Sequence, residues 1–256
     1  MGIEAISSRK NQHIVRLRSL AADGAFRREQ GEYLCDGIKL LREALAQGAD
    51  LRTVLWKEQA EDLAGLEGVK QYVAPAELFD YASPMKNSPG PVFTVAIPEE
   101  ETDSPLENAI VLENVQDPGN VGTVLRTAKA LGVSAVVLVG ACADVYSPKA
   151  TRATMGAIFR QRVLHADIPA LKALAEKNGL PLYAAALSEQ AADIRSLALE
   201  NAMVCVGSEG QGLSRELMDA CDGQLIIPMT PGSESLNAAV AASLILWEMT
   251  RDKIKK

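Results

Sequence analysis

Hydrophobic positions over the first hundred residues alternate between helical and extended spacing, which predicts a small α/β domain. Apolar residues three or four apart indicate helices, and short runs of β-branched and aromatic residues indicate strands. The predicted helices lie near Asn11–Ala22, over Gly37–Gln47 and after Pro75. The predicted strands lie near Glu32–Cys35, Arg52–Trp56, Val69–Val73 and Val92–Ile97.

The segment 98–108, PEEETDSPLEN, interrupts this pattern. It is acidic, contains two prolines and has no hydrophobic periodicity, which is typical of a linker. We therefore predict a first domain over residues 1–97, a linker over 98–108 and a second domain over 109–256.

The second half of the chain has a stronger α/β pattern. Its strands contain continuous rather than alternating apolar runs, such as Ala-Val-Val-Leu-Val, which predicts a parallel sheet covered by helices on both faces. The predicted strands are Ala109–Val115, Ala135–Val139, Pro181–Ala186, Met203–Val206 and Gln224–Ile227. The predicted helices are Val121–Leu131, Ser147–Arg160, Ile168–Asn178, Leu213–Ala220 and Ser235–Lys253.

Composition narrows the class of protein. The longest nearly uncharged stretches, Val133–Ala143 and Ala238–Trp247, are shorter than the roughly 20 residues of a membrane-spanning helix, so no membrane segment is expected. The amino terminus MGIEAISSRKNQ lacks the apolar core of a signal peptide, so we expect a cytoplasmic location. His13 and His165 stand alone, which argues against a histidine metal site or a Ser-His-Asp triad. The four cysteines are predicted to be reduced core thiols: Cys35, Cys142, Cys205 and Cys221.

Charge is unevenly distributed along the chain. The net charge of −7 argues against binding nucleic acid through bulk electrostatics, yet residues 1–42 hold eight Lys or Arg against five acids. A solvated helix face and an RNA-contacting patch explain this run equally well. The candidate RNA-binding residues are Arg9, Lys10, Arg16, Arg18, Arg27 and Arg28; Lys39 and Arg42 complete the run.

Three loops follow the carboxyl ends of predicted strands, where open parallel sheets bind ligands. The first, Gln116–Gly122, leads into the helix Val121–Leu131, for which Asn120 is the predicted N-cap. Arg126 lies off the apolar stripe of that helix, so packing does not require it there. An ordinary surface arginine on a capped helix also explains this loop taken alone.

The second loop, Gly207–Gly212, has three glycines in six positions, which let backbone N–H groups approach a ligand such as an adenosyl group. Its spacing is G-x-x-G-x-G rather than the dinucleotide fingerprint, and Glu209 would repel a pyrophosphate. A site for NAD or a nucleotide phosphate is therefore disfavoured. A glycine-rich turn without a ligand remains an alternative.

The third loop follows Ile227-Pro228-Met229 and precedes the last helix. Ser235 begins that helix in the predicted scheme, with Asn237 in its first turn. Asparagine is a mediocre helix former with a side chain suited to hydrogen bonding, so Asn237 is a candidate functional residue. The predicted buried face of this helix contains Leu236, Val240, Leu244 and Trp247.

Together the three loops resemble the signature motifs of the SpoU (TrmH) family of RNA ribose 2′-O-methyltransferases, in the SPOUT class. The motifs are DPGNVGTVLRTA at 117–128, GSEGQGL at 207–213 and IPMTPGSESLNAAVAAS at 227–243. Each is a weak signal, but three in this order and spacing are specific, and the match covers about residues 108–253. The stretch GEYLCDGIKLLREAL at 31–45 is similar to the small L30-type substrate-binding domain of larger members.

The resemblance implies a carboxyl-terminal trefoil knot, a homodimer, S-adenosylmethionine as cofactor and RNA as substrate, without a metal. Residues implied to bind the cofactor are Gly207, Gly212, Ile227, Met229 and Leu236. Residues implied to line the reaction centre, with groups from both subunits, are Asn120, Arg126, Glu209, Ser235 and Asn237. Arg126 is the family's usual candidate for activating the ribose hydroxyl. Because a guanidinium rarely loses its proton, orienting the hydroxyl and stabilising developing alkoxide charge fits its chemistry better than acting as a base.

The sequence leaves several alternatives open. The extra amino-terminal domain favours ribosomal RNA as substrate, and transfer RNA is the alternative. A non-catalytic RNA-binding or ribosome-assembly protein could retain the same fold. The α/β pattern alone also fits a Rossmann-type enzyme, either an oxidoreductase or a different methyltransferase. Binding of NAD(P)H in place of S-adenosylmethionine would overturn the assignment to the SpoU family.

Overall fold

The computed structural model of the chain describes residues 2–230, 232 and 235–254. It divides into two compact units. The N-terminal unit comprises Met1–Glu99 with Asp144–Phe159, and the C-terminal unit comprises Glu100–Ala143 with Arg160–Lys256. The segment 144–159, which the pattern assigned to the second half, thus packs with the first unit.

Residues 2–99, as described, contain five strands and four α-helices in a mixed order. The strands are β1 (Glu4–Ala5), β2 (Glu32–Asp36), β3 (Leu51–Lys57), β4 (Lys70–Ala74) and β5 (Val92–Ala96). The helices are α1 (Gln12–Ala22), α2 (Gly24–Gln30), α3 (Ile38–Ala46) and α4 (Ala76–Ala82). The sequence pattern misses β1 and α2, because two residues and seven residues are too few for a hydrophobic period to show.

The described residues after Glu99 contain seven strands and five α-helices. The strands are β6 (Ala109–Glu113), β7 (Ala135–Val139), β8 (Arg162–Ala166), β9 (Leu182–Ala185), β10 (Ala192–Asp193), β11 (Met203–Val206) and β12 (Gly223–Ile226). The helices are α5 (Pro118–Ala130), α6 (Pro148–Ala153), α7 (Ile168–Asn178), α8 (Arg215–Ala220) and α9 (Ala238–Thr250). The edge strand β8 was not predicted, since Arg162 and His165 break its apolar run.

The N-terminal unit is built on a five-stranded sheet of order β1-β4-β3-β5-β2. Strand β5 is antiparallel to both of its neighbours, and the other pairs are parallel. Helices α1 and α4 cover one face through a core that contains Ile14, Leu17, Leu55 and Phe79. His13 stacks on Tyr72 with ring centroids 4.1 Å apart, and burial lowers the pKa of this histidine to about 4.

The segment 144–159 is held on the N-terminal unit by specific contacts. Arg27 pairs with Asp144 at 2.6 Å, and the rings of Tyr33 and Tyr146 lie 4.8 Å apart. Helix α6 of this segment packs on β2. The sequence could not show this excursion because nothing local marks a segment that leaves one unit to pack on another.

The C-terminal unit is built on a seven-stranded sheet of order β10-β12-β9-β11-β6-β7-β8, and every pair of neighbours is parallel. Every residue of β6, β7 and β11 is buried. The prediction of a parallel sheet in an α/β fold is confirmed. Since all strands run the same way, the loops after β6, β11 and β12 leave from one edge.

The predicted linker packs on the C-terminal unit without forming regular secondary structure. Arg162 donates hydrogen bonds to the carbonyl oxygens of Ser104 and Glu101, and His165 pairs with Glu100 at 2.6 Å. Leu106 is buried, and its N–H donates to Asn178 at 2.7 Å. These contacts fix the start of β6.

Two predicted helix starts were wrong. Helix α5 begins three residues early, because Pro118 occupies its first turn and the Asp117 carboxylate accepts the N–H of Asn120 at 3.0 Å. Helix α9 begins three residues late, because Asn237 rather than Ser235 is its N-cap. Capping by Asp117 leaves the side chain of Asn120 available for other contacts.

The predicted buried face of α9 was also wrong. Val240, Leu244 and Trp247 are 49%, 45% and 52% exposed in the single chain. The face that packs against α5 and the sheet instead carries Ala239, Ala242, Ile245, Leu246 and Met249. This helix is apolar on both faces, so periodicity could not decide which face is buried. Among the described residues, no helix has the length and apolar character needed to cross a membrane.

Candidate active site

Four loops of the C-terminal unit meet at the carboxyl edge of its sheet. Those after β6, β11 and β12 were predicted, but β12 is separated from β11 by β9. The loop after β9, residues 185–188, therefore also lines the site. It lacks glycine and any other sequence signal that would have identified it.

A polar cluster joins the first, second and third predicted loops. Asn120 and Asn237 each donate from Nδ2 to Oε1 of Glu209, both at 2.5 Å. Nδ2 of Asn237 also lies 3.3 Å from Oδ1 of Asn120, and the backbone N–H of Ala238 points to the same carboxylate oxygen at 3.4 Å. The structure thus brings together three of the five residues predicted for the reaction centre.

Asn237 has two structural roles in this cluster. Its Oδ1 accepts hydrogen bonds from the N–H groups of Ala239 and Val240, at 3.0 and 3.2 Å, and so caps α9. Its Nδ2 meanwhile contacts Glu209. The helix terminus and the second loop are therefore fixed to each other through one amide side chain.

A cavity of about 630 Å³ opens beside this cluster. Glu209 and Ser235 line it, and so do all five residues predicted to bind the cofactor: Gly207, Gly212, Ile227, Met229 and Leu236. Of the turn before Ser235, residues 231, 233 and 234 lie outside the described residues. The volume lies within the usual range for a site that encloses a small molecule or cofactor.

Backbone geometry explains Gly207 and Gly212, two of the three glycines of the second loop. The N–H of Ser208 donates to the carbonyl of Gly212 at 3.2 Å, and the N–H of Gly212 donates back at 2.9 Å. A Cβ on Gly207 would lie 2.1 Å from the carbonyl carbon of Gly212, which no side chain tolerates. Gly212 itself has φ +66, a left-handed conformation that favours glycine.

Glu113 is a positioning residue that the sequence analysis missed. It is buried at the end of β6, and its carboxylate accepts hydrogen bonds from the N–H and Oγ of Ser214, both at 2.6 Å. These bonds tie the end of the glycine loop to β6. Its one signal in the sequence is a charge at the end of an otherwise apolar strand.

Gln224 on β12 is a second missed residue. It lines the cavity, and its buried Oε1 has no hydrogen-bond partner within the described part of the chain. A buried acceptor of this kind is costly unless a ligand or water satisfies it. S-adenosylmethionine carries amino, ammonium and hydroxyl donors, so the cavity fits that cofactor in polarity as well as size.

Arg126 does not line the cavity of the chain's own C-terminal unit. It lies on an exposed part of α5, roughly 9 Å along the helix axis from Asn120. The hydroxyls of Thr123 and Thr127, on the same helix, donate hydrogen bonds to backbone carbonyls one turn earlier. The structure of one chain thus separates Arg126 from the residues predicted to act with it.

The predicted RNA-binding residues of the N-terminal unit fall into different groups. Arg27 is buried and paired with Asp144, so its prediction as an RNA contact was wrong and its role is structural. Arg16 is half-buried and pairs with Glu32. The remaining members of the set are exposed: Arg9, Lys10, Arg18 and Arg28.

Two of these exposed arginines are engaged by their own unit. Arg9 pairs with Glu77 at 2.6 Å, and Arg18 donates to the carbonyl of Tyr81 at 2.8 Å. Both guanidinium groups also lie over the Tyr81 ring. The Glu77 carboxylate offsets the charge of Arg9, whereas the contacts of Arg18 hold its guanidinium against its own unit without offsetting its charge.

All four cysteines are free thiols. Cys35 and Cys205 are buried, and burial raises the pKa of both. Cys142 and Cys221 are half-buried. The described residues hold no group of three or more side chains suited to binding a metal ion.

Comparison with known proteins assigns the fold and the site to a family. A family model described as the SpoU rRNA Methylase family matches residues 107–247. The chain belongs to the SpoU rRNA methylase family. The match begins just before β6 and ends within α9, so it contains every residue of the polar cluster and most of the cavity lining.

Relatives of this SpoU family member match both units. A tRNA/rRNA methyltransferase of Synechocystis is 33% identical over 98% of the chain and 95% of its own length. The 23S rRNA (guanosine(2553)-2′-O)-methyltransferase of Bacillus subtilis is 29% identical over 96% of the chain and 99% of its own length. The crystal structure of an AdoMet-bound rRNA methyltransferase from Sinorhizobium meliloti superposes with a TM-score of 0.89 at 25% identity, over 99% of each chain.

These findings confirm the family, the methyltransferase activity on RNA and the cofactor S-adenosylmethionine.

Proposed function

We propose that this chain transfers a methyl group from S-adenosylmethionine to the ribose 2′-hydroxyl of a nucleotide in 23S ribosomal RNA. The observation that carries the proposal is the Asn120–Glu209–Asn237 cluster at the mouth of a cofactor-sized cavity. The relative from Bacillus subtilis, named for this reaction, matches the chain over both units. Whole-length similarity favours ribosomal over transfer RNA, and the cytoplasm is where such an RNA is made and assembled.

The cavity would hold the cofactor between the glycine loop and the loop before α9. When bound, S-adenosylmethionine supplies a methyl group on a positively charged sulfur, which a ribose oxygen can attack in line. Backbone groups near Gly207, Ile227 and Leu236 would fix the donor, and Gln224 would accept one of its N–H or O–H groups. Holding both reactants in line lowers the barrier by removing motions that free reactants must lose.

Glu209 acts mainly as a positioning residue in this scheme. One of its oxygens already accepts from two amides and a backbone N–H, which fixes it at the edge of the cavity. The three side chains present a polar rim to the incoming nucleotide. Ser235, exposed on the cavity wall, is suited to contact the ribose or its phosphate.

Arg126 is proposed to reach the reaction centre from a second copy of the chain. In the single chain it is exposed and away from the cavity, on the helix that packs beside α9. The exposed stripe of Val240, Leu244 and Trp247 on α9 supports a homodimer, because monomers rarely leave such large apolar residues together in water. A permanently charged guanidinium there would orient the hydroxyl and stabilise its developing negative charge, while the proton leaves to solvent.

The trefoil knot and the L30-like domain are part of the same proposal. Strand β12 forms after β9, β10 and β11 along the chain yet lies between β9 and β10, which is compatible with a late segment threading an earlier loop. The mixed five-stranded sheet of the N-terminal unit supports an RNA-binding domain that extends the reach of the catalytic unit.

The test is methyl transfer by wild type and by Arg126→Ala. Wild type is expected to place label from S-adenosylmethionine in 2′-O-methylated nucleosides of deproteinised ribosomal RNA. Arg126→Ala is expected to lose at least about 100-fold in rate while its cofactor affinity, measured by calorimetry, stays within about twofold. Full activity of the variant, or loss of cofactor binding in equal measure, would contradict the proposed role of Arg126.

A further inference from the structure

Three basic side chains from separate segments of the N-terminal unit gather at the carboxyl end of β2. They are Lys39 in the first turn of α3, Lys86 in the turn 83–90 and Arg152 on α6, and all three are exposed. We propose that this surface, named here the β2-end surface, binds the phosphate backbone of the RNA substrate. The inference rests on the proposed function, because it assumes that RNA is the substrate.

Hydrogen bonds place Lys86 beside the start of α3. The Asp36 carboxylate, at the end of β2, accepts from Ser83 Oγ at 2.7 Å and from Ser88 Oγ at 2.5 Å. The backbone adds two bonds, since the N–H of Gly37 donates to Pro91 and that of Ile38 donates to Gly90. The turn that carries Lys86 is thus fixed to the strand end from which α3, with Lys39, begins.

Arg152 reaches the same strand end from the segment 144–159. Burial raises the pKa of Asp36, and hydrogen bonds from Ser88 and Ser83 together with the positive charge of Arg152 oppose that rise. The arginine therefore lies close enough to the carboxylate to interact with it. Helix α6, which carries Arg152, packs directly on β2.

The same segment lies along the face of α3 that contains Lys39. A Cβ on Gly156 would lie 2.4 Å from Cγ of Glu43, so the turn after α6 touches that side chain closely. Glu43 is one helical turn after Lys39, and residues four apart share a helix face. Lys39 and Arg152 are therefore held on adjacent elements by contacts that do not involve their own charges.

Charge on the β2-end surface is positive although the chain as a whole is acidic. Its two acids, Asp36 and Glu43, are only partly exposed, and the Asp36 carboxylate accepts hydrogen bonds from Ser83 and Ser88. Asp80, on the neighbouring α4, pairs with Lys57 at 2.7 Å. Three exposed cations over half-buried acids form a phosphate-binding surface, whereas the arginines near α1 are mostly neutralised by their own pairs.

Met155 indicates that the ligand is a nucleic acid rather than a small anion. It is 60% exposed at the end of α6, and its φ of 50° is a left-handed conformation that bulky residues seldom adopt. Its N–H donates to the carbonyl of Arg152 at 3.2 Å, so the two side chains emerge from one turn. The guanidinium plane of Arg152 can stack on an unpaired base, and the apolar side chain of Met155 beside it can pack against the same base.

The test removes the three charges and compares the result with a matched removal elsewhere on the chain. The first variant is Lys39→Gln/Lys86→Gln/Arg152→Gln. The control is Arg52→Gln/Lys70→Gln with Lys172→Gln of the C-terminal unit added to match the lost charge, three exposed cations that belong neither to the β2-end surface nor to the candidate RNA-binding residues. Binding of deproteinised 23S rRNA is measured across a series of NaCl concentrations. Melting temperature and S-adenosylmethionine affinity report whether each variant remains folded.

The first variant is expected to bind RNA 10- to 100-fold more weakly than wild type at about 0.1 M NaCl. The plot of log affinity against log salt concentration should become less steep by about 2, because each of the three lost phosphate contacts contributes about 0.7–0.9 to the steepness. The control should stay within about threefold of wild type. Unchanged RNA binding by the first variant, or an equal loss in the control, would overturn the inference.

This result is distinguishable from failure of the proposed function. If wild type binds and methylates ribosomal RNA and the first variant does so equally well, only the β2-end surface is wrong. If wild type neither binds nor methylates any RNA, the proposed function and the inference fail together.

Discussion

Asn237 is the residue in which stability and chemistry can be separated. Serine can replace its capping oxygen but not its amide contact with Glu209, whereas alanine replaces neither. Asn237→Ser should keep the unfolding free energy within a few tenths of a kcal/mol, and Asn237→Ala should lower it by about 1 kcal/mol. Both variants should lose methyl transfer by about 100-fold. Denaturant unfolding and labelled methyl transfer measure the two effects; a fully active Asn237→Ser would show that the amide contact is dispensable.

A second prediction at the scale of single residues concerns Gln224. Gln224→Leu removes a buried acceptor that has no partner in the described chain, so the cofactor-free protein should be as stable as wild type or more so, by about 1 kcal/mol. Affinity for S-adenosylmethionine should fall about tenfold. Met218→Leu, which changes another cavity residue without removing a hydrogen-bonding group, is the control and should stay within about twofold. Wild-type affinity in Gln224→Leu would mean that water, not the cofactor, satisfies this oxygen.

The sequence predicted site residues well where they carry a distinct chemical type. Glu209 is an unusual residue in a glycine loop, and Asn237 is an unusual residue at the start of a helical pattern. In the structure, both side chains contact Asn120. Arg27 looked like a surface arginine, but it is buried because Asp144, more than a hundred residues away, supplies its partner. Gln224 and Glu113 were missed because their importance comes from burial, which the local sequence does not show.

At the scale of elements, the glycine loop Gly207–Gly212 allows the most specific prediction. Gly207→Ala would place a Cβ 2.1 Å from the carbonyl carbon of Gly212, whereas Gly210→Ala meets nothing within 4 Å. The first variant should therefore lose cofactor affinity by at least about 100-fold, since the loop must move to admit the methyl group. Gly210→Ala should bind within about threefold of wild type. Calorimetric titration of both variants decides between this account and one in which any alanine in the loop is equally harmful.

Most elements could be predicted because the period of their hydrophobic residues and their length indicate the same type of secondary structure. The buried strands β7 and β11 are apolar throughout, β6 is apolar up to Glu113 at its end, and the three are neighbours in the interior of the sheet. Periodicity failed in α9, where both faces are apolar, and at the start of α5, where Asp117 competes with Asn120 for the cap. These failures occur beside the site, where residues serve contacts outside their own element.

At the scale of the whole molecule, the exposed stripe of α9 predicts association. Leu244→Glu should convert a dimer into a monomer and reduce methyl transfer by at least about tenfold, because a buried unpaired charge is incompatible with an apolar interface. Val15→Glu, at an exposed apolar residue of α1, is the matched control and should leave the mass unchanged. Light scattering of the purified proteins gives the masses. A wild-type monomer with full activity would remove the basis for placing Arg126 in a partner's site.

The acidic segment near residue 100 led to a predicted domain boundary, but nothing in the local sequence marks residues 144–159, which pack with the N-terminal unit. Their contacts, such as the ring pair of Tyr33 and Tyr146, join residues that are distant in sequence. The family motifs identified the catalytic unit because they are local. The contacts that hold residues 144–159 depend on packing between distant segments, and such packing produces no short pattern in the sequence.

The most direct test of the central claim uses total RNA from a strain that lacks this protein. The RNA is incubated with the purified protein and S-adenosylmethionine, and 2′-O-methylation is mapped by resistance of the adjacent phosphodiester bond to alkaline hydrolysis. We predict a new resistant position in 23S rRNA that is absent when Arg126→Ala replaces wild type. No new resistant position in any RNA, or label confined to the bases, would contradict methyl transfer to ribose.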